Sequence, residues 1–194
     1  SIQCPVKLRR TQKNKMIIDK LLGENHYHNI LTRIDGPTTP WFRGEQTATE
    51  EDQQLAYHSS FANLIFKKEN GPMGELFDIT LPILLTAMDK QQKQLKDLHR
   101  IRIGLVTRTP EAIVHNPHKD FHTPHRTGLY YLNQADGDTI VYNQTDKSEQ
   151  YSIKEKVEPL ANRWFDFDGD HYHSSTTPVT TEKRIVITFN YETN

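Results

Sequence analysis

Cysteine is almost absent from this chain. One residue, Cys4, among 194 cannot form an internal disulfide, and it excludes cysteine-rich zinc sites. Long apolar runs are missing as well. The best is Leu81-Pro82-Ile83-Leu84-Leu85, far short of the roughly 18 residues a membrane helix requires. The mean hydropathy of -0.76 is that of a polar globular chain, and no membrane partner is expected. There is no surplus of either charge: 24 basic residues face 25 acidic ones, for a net charge of -1. The modest basic cluster between Lys7 and Lys20 reads as a solvated segment, and the near-neutral balance counts against a nucleic-acid partner. After Lys7-Leu8-Arg9-Arg10 the residues are polar, unlike a signal-peptide core. With one cysteine, a reducing compartment is expected, hence the cytoplasm.

What the chain has in quantity is histidine. There are ten, and eight fall in three short groups. No repeat, low-complexity tract or long linker interrupts the chain, so one domain is expected over residues 1–194. Residues 1–100 would support a core at residues 101–191. A short helix is expected over residues 13–22, ending at Gly23, and a second over residues 75–90 with Pro82 as its weak point. Trp41-Phe42 opens a strand, and residues 53–66 fit strand or helix equally. From residue 101 the pattern turns to strands. Ile101, Ile103 and Leu105 alternate with Arg102 and Gly104. Strands follow at Thr127 to Leu132, Thr139 to Tyr142, Arg163 to Phe167 and Arg184 to Phe189, with Asp136-Gly137 as a hairpin turn. This is an α+β, mainly β pattern: a double-stranded β-helix, or jelly roll, with N-terminal helices packed on one sheet.

Within that frame, His118-Lys119-Asp120 places a His and an Asp on one strand face. A distant His173 completes a two-histidine, one-carboxylate set of the kind that holds iron(II) with three open positions. An isolated His-x-Asp is a common pattern; the downstream half adds weight. His173 follows the turn at Asp168-Gly169-Asp170, and Arg184 comes 11 residues later. That length suits a loop over residues 176–181 and an adjacent antiparallel strand. A guanidinium there suits a carboxylate. The bland alternative for Arg184 is a surface ion pair with Glu182 or Glu192. His171 shares a strand face with His173 and competes for the same role.

These residues resemble the iron(II)- and 2-oxoglutarate-dependent oxygenases of the prolyl-4-hydroxylase-like branch, and most of all small phage and marine bacterial members. The likeness runs through Pro117 to Asp120, Thr127 to Asn133, Asp136 to Thr139, Phe165 to Ser175 and Lys183 to Tyr191. It reaches back weakly through Trp41-Phe42, Tyr57-His58-Ser59 and the helix near residues 75–90. The resemblance implies iron ligation by His118, Asp120 and His173. His173 is preferred to His171 because Ser174-Ser175 follow it. It also implies 2-oxoglutarate held at its far carboxylate by Arg184 and Tyr131, with help from Thr188, while Tyr130 points the other way. His115, His122 and His125 are expected to be solvated loop residues near the entrance, and His26 and His28 surface residues. The implied reaction consumes O2 and 2-oxoglutarate and hydroxylates a C–H bond of a prolyl residue, peptide or free amino acid, in a bacterial or phage-infected cell. The alternatives are a non-catalytic jelly-roll metal-binding module and an oxygenase acting on a nucleobase. Substrate choice is expected in loops 36–50, 107–125 and 143–156.

Overall fold

A computed structural model describes residues 17–44 and 60–194. Cys4, most of the basic cluster, Tyr57-His58-Ser59 and part of the 36–50 loop fall outside the described residues. In chain order the elements are β1 (Ile17–Ile18), α1 (Glu24–Ile34), β2 (Phe42–Gly44), β3 (Ser60–Lys67), β4 (Gly71–Pro72), α2 (Phe77–Gln91), β5 (Leu95–Thr107), β6 (Arg126–Tyr131), β7 (Thr139–Tyr142), β8 (Ile153–Val157), β9 (Arg163–Asp168), β10 (His173–Ser175) and β11 (Lys183–Thr193). The major sheet runs β1-β9-β6-β11-β5-β3-β2, with β4 against β3; the minor sheet runs β10-β7-β8. All these pairings are antiparallel. No described helix is long and apolar enough to cross a membrane.

Period-two alternation in the central strands builds two distinct layers. On β11, Ile185, Ile187, Phe189 and Tyr191 join Ile101 and Ile103 of β5, Tyr130 of β6 and Trp164 of β9 in one core. The helices cover that core through Ile30, Ile34, Ile83, Leu84, Ala87 and Met88. The opposite faces of β6, β9 and β11 supply Leu129, Tyr131, Phe165, Phe167 and Val186 to a second core, closed by Val141 and Val157 of the minor sheet. This is the expected jelly roll, with helices on the outer face of one sheet. Gly128 on β6 is required by close approach. A Cβ there would sit 2.4 Å from the Trp164 ring.

Three expectations change. Of the helix expected over residues 13–22, residues 13–16 lie outside the described residues and 17–22 are not helical, because Ile17 and Ile18 add to the edge of the major sheet opposite Phe165 and Trp164. Residues 60–67 are strand, which settles the described part of the ambiguous 53–66 segment; residues 53–59 lie outside the described residues. Asp136-Gly137 does not fold β7 back on β6; β7 crosses to the minor sheet and pairs with β10 and β8. The Asp136 carboxylate instead accepts N–H bonds from Val179, Thr180 and Thr181. Gly137 is small because Thr176 backbone passes 2.3 Å from where its Cβ would be. β11 likewise is not hydrogen-bonded to β10; the two face each other from different sheets. Pro82 is accommodated inside α2, with Thr86 donating to its carbonyl at 2.7 Å.

On the helix-facing side of β9, Asp166 is fully buried and bound by Arg126 at 2.6 Å, Gln91 at 2.7 Å and Lys93 at 3.4 Å. Removing one partner of a buried ion pair leaves uncompensated charge in a low-dielectric site. Asp166→Ala is therefore expected to cost about 3–5 kcal/mol. Urea denaturation of the variant checks this; a loss under about 1 kcal/mol would contradict it.

Candidate metal and anion site

Between the sheets, beside the second core, is a cavity of about 90 Å³. Its floor is β5 and β11, whose inward residues are Arg102, Gly104 and Val106 on one strand and Arg184, Val186 and Thr188 on the other. Its roof is built by His118, Thr139, His173, Ser174 and Ser175. His118 and His173 sit directly opposite each other in an antiparallel bridge, exchanging both backbone N–H···O bonds at 3.0 Å. Their rings stand 4.4 Å apart. Asp120, two residues beyond His118, brings a carboxylate oxygen 3.9 Å from His173 Nε2.

Ligand atoms of His118, Asp120 and His173 all lie within 4.8 Å of one another. Both imidazoles turn Nδ1 toward a backbone carbonyl, Asn116 for His118 and His171 for His173. That leaves Nε2 of each ring for a ligand, the orientation usual in metal sites. Burial and the neighbouring His118 push His173 down to about 3 against the pull of Asp120, so its ring is neutral, as a nitrogen ligand must be. Burial alone would raise Asp120. The Arg100 guanidinium, the two imidazoles and the Asn190 hydrogen bond outweigh that and hold its carboxyl well below the usual range. Arg100 donates to one carboxylate oxygen at 2.6 Å and Asn190 to the other at 2.8 Å. An ionised oxygen and two imidazole nitrogens, held from behind, fit a divalent metal such as iron(II).

A second possible cluster, Asp97, His99 and Glu192, is less suited. Its carboxylates are already engaged by Lys68 and Lys96, and His99 by Glu192.

At the other end of the floor is Arg184, 6% exposed. Its guanidinium donates to Thr139 Oγ1 at 2.8 Å and stacks over the Tyr131 ring at 5.7 Å. Nε has no partner, and no carboxylate among the described residues pairs with it. Glu192, one candidate partner, is bound to Lys96 and His99 instead, while Glu182 is exposed. Asp138, which acts on Arg184 through space, is paired with Lys156 at 2.9 Å. A buried cation without a counter-ion is costly, and an anionic ligand would repair it. Tyr131 is buried and pushed up to about 12, so its phenol is a neutral donor. Its hydroxyl donates to Thr139 Oγ1 at 2.8 Å. Thr139 thus accepts from both Tyr131 and Arg184, and its own O–H is left to donate.

Thr139, Arg100 and Asn190 were not legible as site residues. Asn190 had one available signal, sharing the face of Arg184 and Thr188 on β11. Thr139 had only its place at the end of the Asp136 to Thr139 likeness, which carries no role for it, since it comes from the other sheet. Thr188 lines the cavity and Tyr130 faces the outer core. His171 is outside the cluster, against Lys154 at 2.7 Å. His26, His28 and His122 are exposed. His115 and His125, expected to be solvated, are buried instead. His115 bonds Ser175 at 2.9 Å, and His125 packs against Phe121 with Nδ1 on the Thr123 carbonyl.

No protein-family model matches the chain, and no curated protein matches it in sequence. Solved structures do match in fold. A prolyl hydroxylase from Trichoplax adhaerens, solved with a hypoxia inducible factor peptide fragment, aligns with TM-score 0.55 at 15% identity, over 90% of this chain and 81% of that one. A Pseudomonas putida prolyl-4-hydroxylase aligns with TM-score 0.57 at 13% identity, over 91% of both chains. The non-heme alpha ketoglutarate dependent epimerase SnoN, from nogalamycin biosynthesis, aligns with TM-score 0.62 at 13% identity, over 91% of this chain and 76% of that one. At these identities the likeness concerns the fold. The chain has the jelly-roll fold that prolyl-4-hydroxylase-like oxygenases also have.

Proposed function

We propose that the protein is an iron(II)- and 2-oxoglutarate-dependent oxygenase of the cytoplasm that hydroxylates a C–H bond of a prolyl residue, peptide or free amino acid. The observation that carries this reading is Arg184: a buried guanidinium without a counter-ion among the described residues, opening on the same cavity as His118, Asp120 and His173. A metal-binding module has no use for it. The fold likeness to 2-oxoglutarate enzymes and prolyl hydroxylases points the same way.

On this reading His118, Asp120 and His173 hold iron(II), which supplies oxygen activation coupled to oxidative decarboxylation of 2-oxoglutarate. The protein's own residues position and shield. Arg184 receives the far carboxylate of 2-oxoglutarate, and the Thr139 hydroxyl donates to it. Tyr131 acts through Thr139, fixing the hydroxyl so that its proton faces the ligand. Thr188, on the same strand face four residues along, borders the diacid. Arg100 and Asn190 keep Asp120 ionised and aimed. Leu129 and Val186 give the cavity apolar walls that exclude bulk water. Asp120 occupies the position a halide would need, which argues for hydroxylation over halogenation.

The test is succinate formation. With iron(II), 2-oxoglutarate and O2, the protein should release succinate slowly without substrate and faster when the right amino acid or proline-containing peptide is present. Metal binding indifferent to 2-oxoglutarate, with no succinate at all, would identify a metal-binding module instead.

A further inference from the structure

The cavity holds a second guanidinium that the reaction as described does not use. Arg102 on β5 lines it together with His118, Asp120 and His173. Its neighbour on the same strand face, Arg100, is tied to Asp120 at 2.6 Å. Arg102 has no such tie: among the described residues no carboxylate pairs with it and no group hydrogen-bonds it. Burial and the positive charge of Arg100 both press against its own charge, with Asp120 the one opposing influence.

Position separates its role from that of Arg184. In the β5–β11 ladder Arg184 is opposite Val106, whereas Arg102 is opposite Thr188 and one inward step from the Arg100–Asn190 pair. The two rows are four residues apart, about 13 Å at roughly 3.3 Å per residue. The two side chains therefore start from opposite ends of the cavity floor. Charge points the same way. Around the cavity, among the described residues, three guanidiniums (Arg100, Arg102, Arg184) face one carboxylate, Asp120, with Asp138 neutralised by Lys156. A divalent ion and a dianionic cosubstrate cancel each other, so two positive charges remain in excess.

We propose that Arg102 receives a carboxylate of the primary substrate. The substrate class is then a small acid, such as a free amino acid or an N-acylated one, whose reacting carbon is close to its carboxylate. An internal prolyl residue of a neutral peptide segment and a nucleobase both lack that group. The inference rests on the 2-oxoglutarate reading of the Arg184 end, and the experiment separates the two.

The full-length protein, loaded with zinc(II) in place of iron to prevent turnover and saturated with 2-oxoglutarate, is titrated with L-proline, N-acetylproline and N-acetylglycine. Each is compared with its amide by ligand-observed NMR. The wild type should bind at least one acid about 10-fold or more tighter than its amide, the scale of a hydrogen bond to a charged group. Arg102→Met and Arg102→Gln should erase that preference while changing 2-oxoglutarate affinity less than about 3-fold, with melting temperatures at or above wild type because an unpaired cation is removed. Absence of any acid-over-amide preference in the wild type overturns the proposal, as does a preference that survives in both variants. A loss of 2-oxoglutarate affinity in Arg102→Met as large as in Arg184→Met overturns it too, by assigning Arg102 to the cosubstrate. If the wild type does not bind 2-oxoglutarate yet still prefers acids through Arg102, the carboxylate site stands and the oxygenase reading falls.

Discussion

Arg184→Met should raise the 2-oxoglutarate concentration for half-saturation about 30-fold or more, while leaving the ligand-free protein as stable as wild type or more stable. The first half follows from losing one partner of a desolvated charge pair, a truncation that costs about 2–5 kcal/mol; at 1.36 kcal/mol per factor of ten, the low end is about 30-fold. The second half follows because Arg184 is buried, with its Nε unpartnered and no carboxylate against it among the described residues. Methionine fills a similar volume beside Tyr131 without that desolvation cost. Thermal melts with and without 2-oxoglutarate read both halves at once. Wild type should gain stability with ligand concentration, whereas the variant should start at least as high and gain little. A variant that melts far below wild type without ligand would show instead that Arg184 is a structural ion. Arg184→Lys keeps the charge but not the fork, and should fall between the two.

Asp120→Ala should abolish turnover and weaken iron(II) retention by more than about 100-fold, beyond the roughly 10- to 100-fold that loss of an outer partner costs. Asp120 is the one anionic donor of the set, and its removal leaves two imidazoles 4.4 Å apart and the Arg100 guanidinium without its carboxylate partner. Asn190→Ala, which deletes a hydrogen bond to the same carboxylate together with those to Arg100 and Thr127 but keeps the anionic donor, should fall in the 10- to 100-fold range. Iron content after dialysis, with succinate formation on readdition of iron, measures both. Equal retention in all three proteins would show that the metal binds elsewhere, with the Asp97, His99 and Glu192 cluster the next candidate.

How far such residues can be read from a sequence depends on how local their signal is. Alternation on β5, β6 and β11 announces strands and even sorts Tyr130 from Tyr131, because pleating is a property of consecutive residues. His118 and Asp120 are two residues apart, and the turn before His173 is a local pattern as well. Strand pairing is not local. Asp136-Gly137 reads as a hairpin, but the pocket needs β7 in the opposite sheet, and Gly137 serves close packing against Thr176. Thr139 becomes a site residue only through that crossover. Arg102 is visible as a polar residue alternating with Ile101 and Ile103, a pattern that a solvent-facing side would also produce, and Arg100 and Asn190 lie just outside the strands as read. Their meaning appears only when β5 and β11 are paired and the minor sheet covers them. Ile17-Ile18 shows the same limit: two apolar residues fit the middle of a short helix or an edge strand, and pairing with β9 decides.

The most direct test of the account is an anaerobic titration of the iron(II)-loaded protein with 2-oxoglutarate, followed by visible absorption. A metal-to-ligand charge-transfer band should grow to saturation in wild type, require much higher 2-oxoglutarate in Arg184→Met, and be absent in Asp120→Ala. A wild-type protein that retains iron(II) and develops no band at any 2-oxoglutarate concentration would contradict the joint assignment of His118, Asp120, His173 and Arg184 to one site.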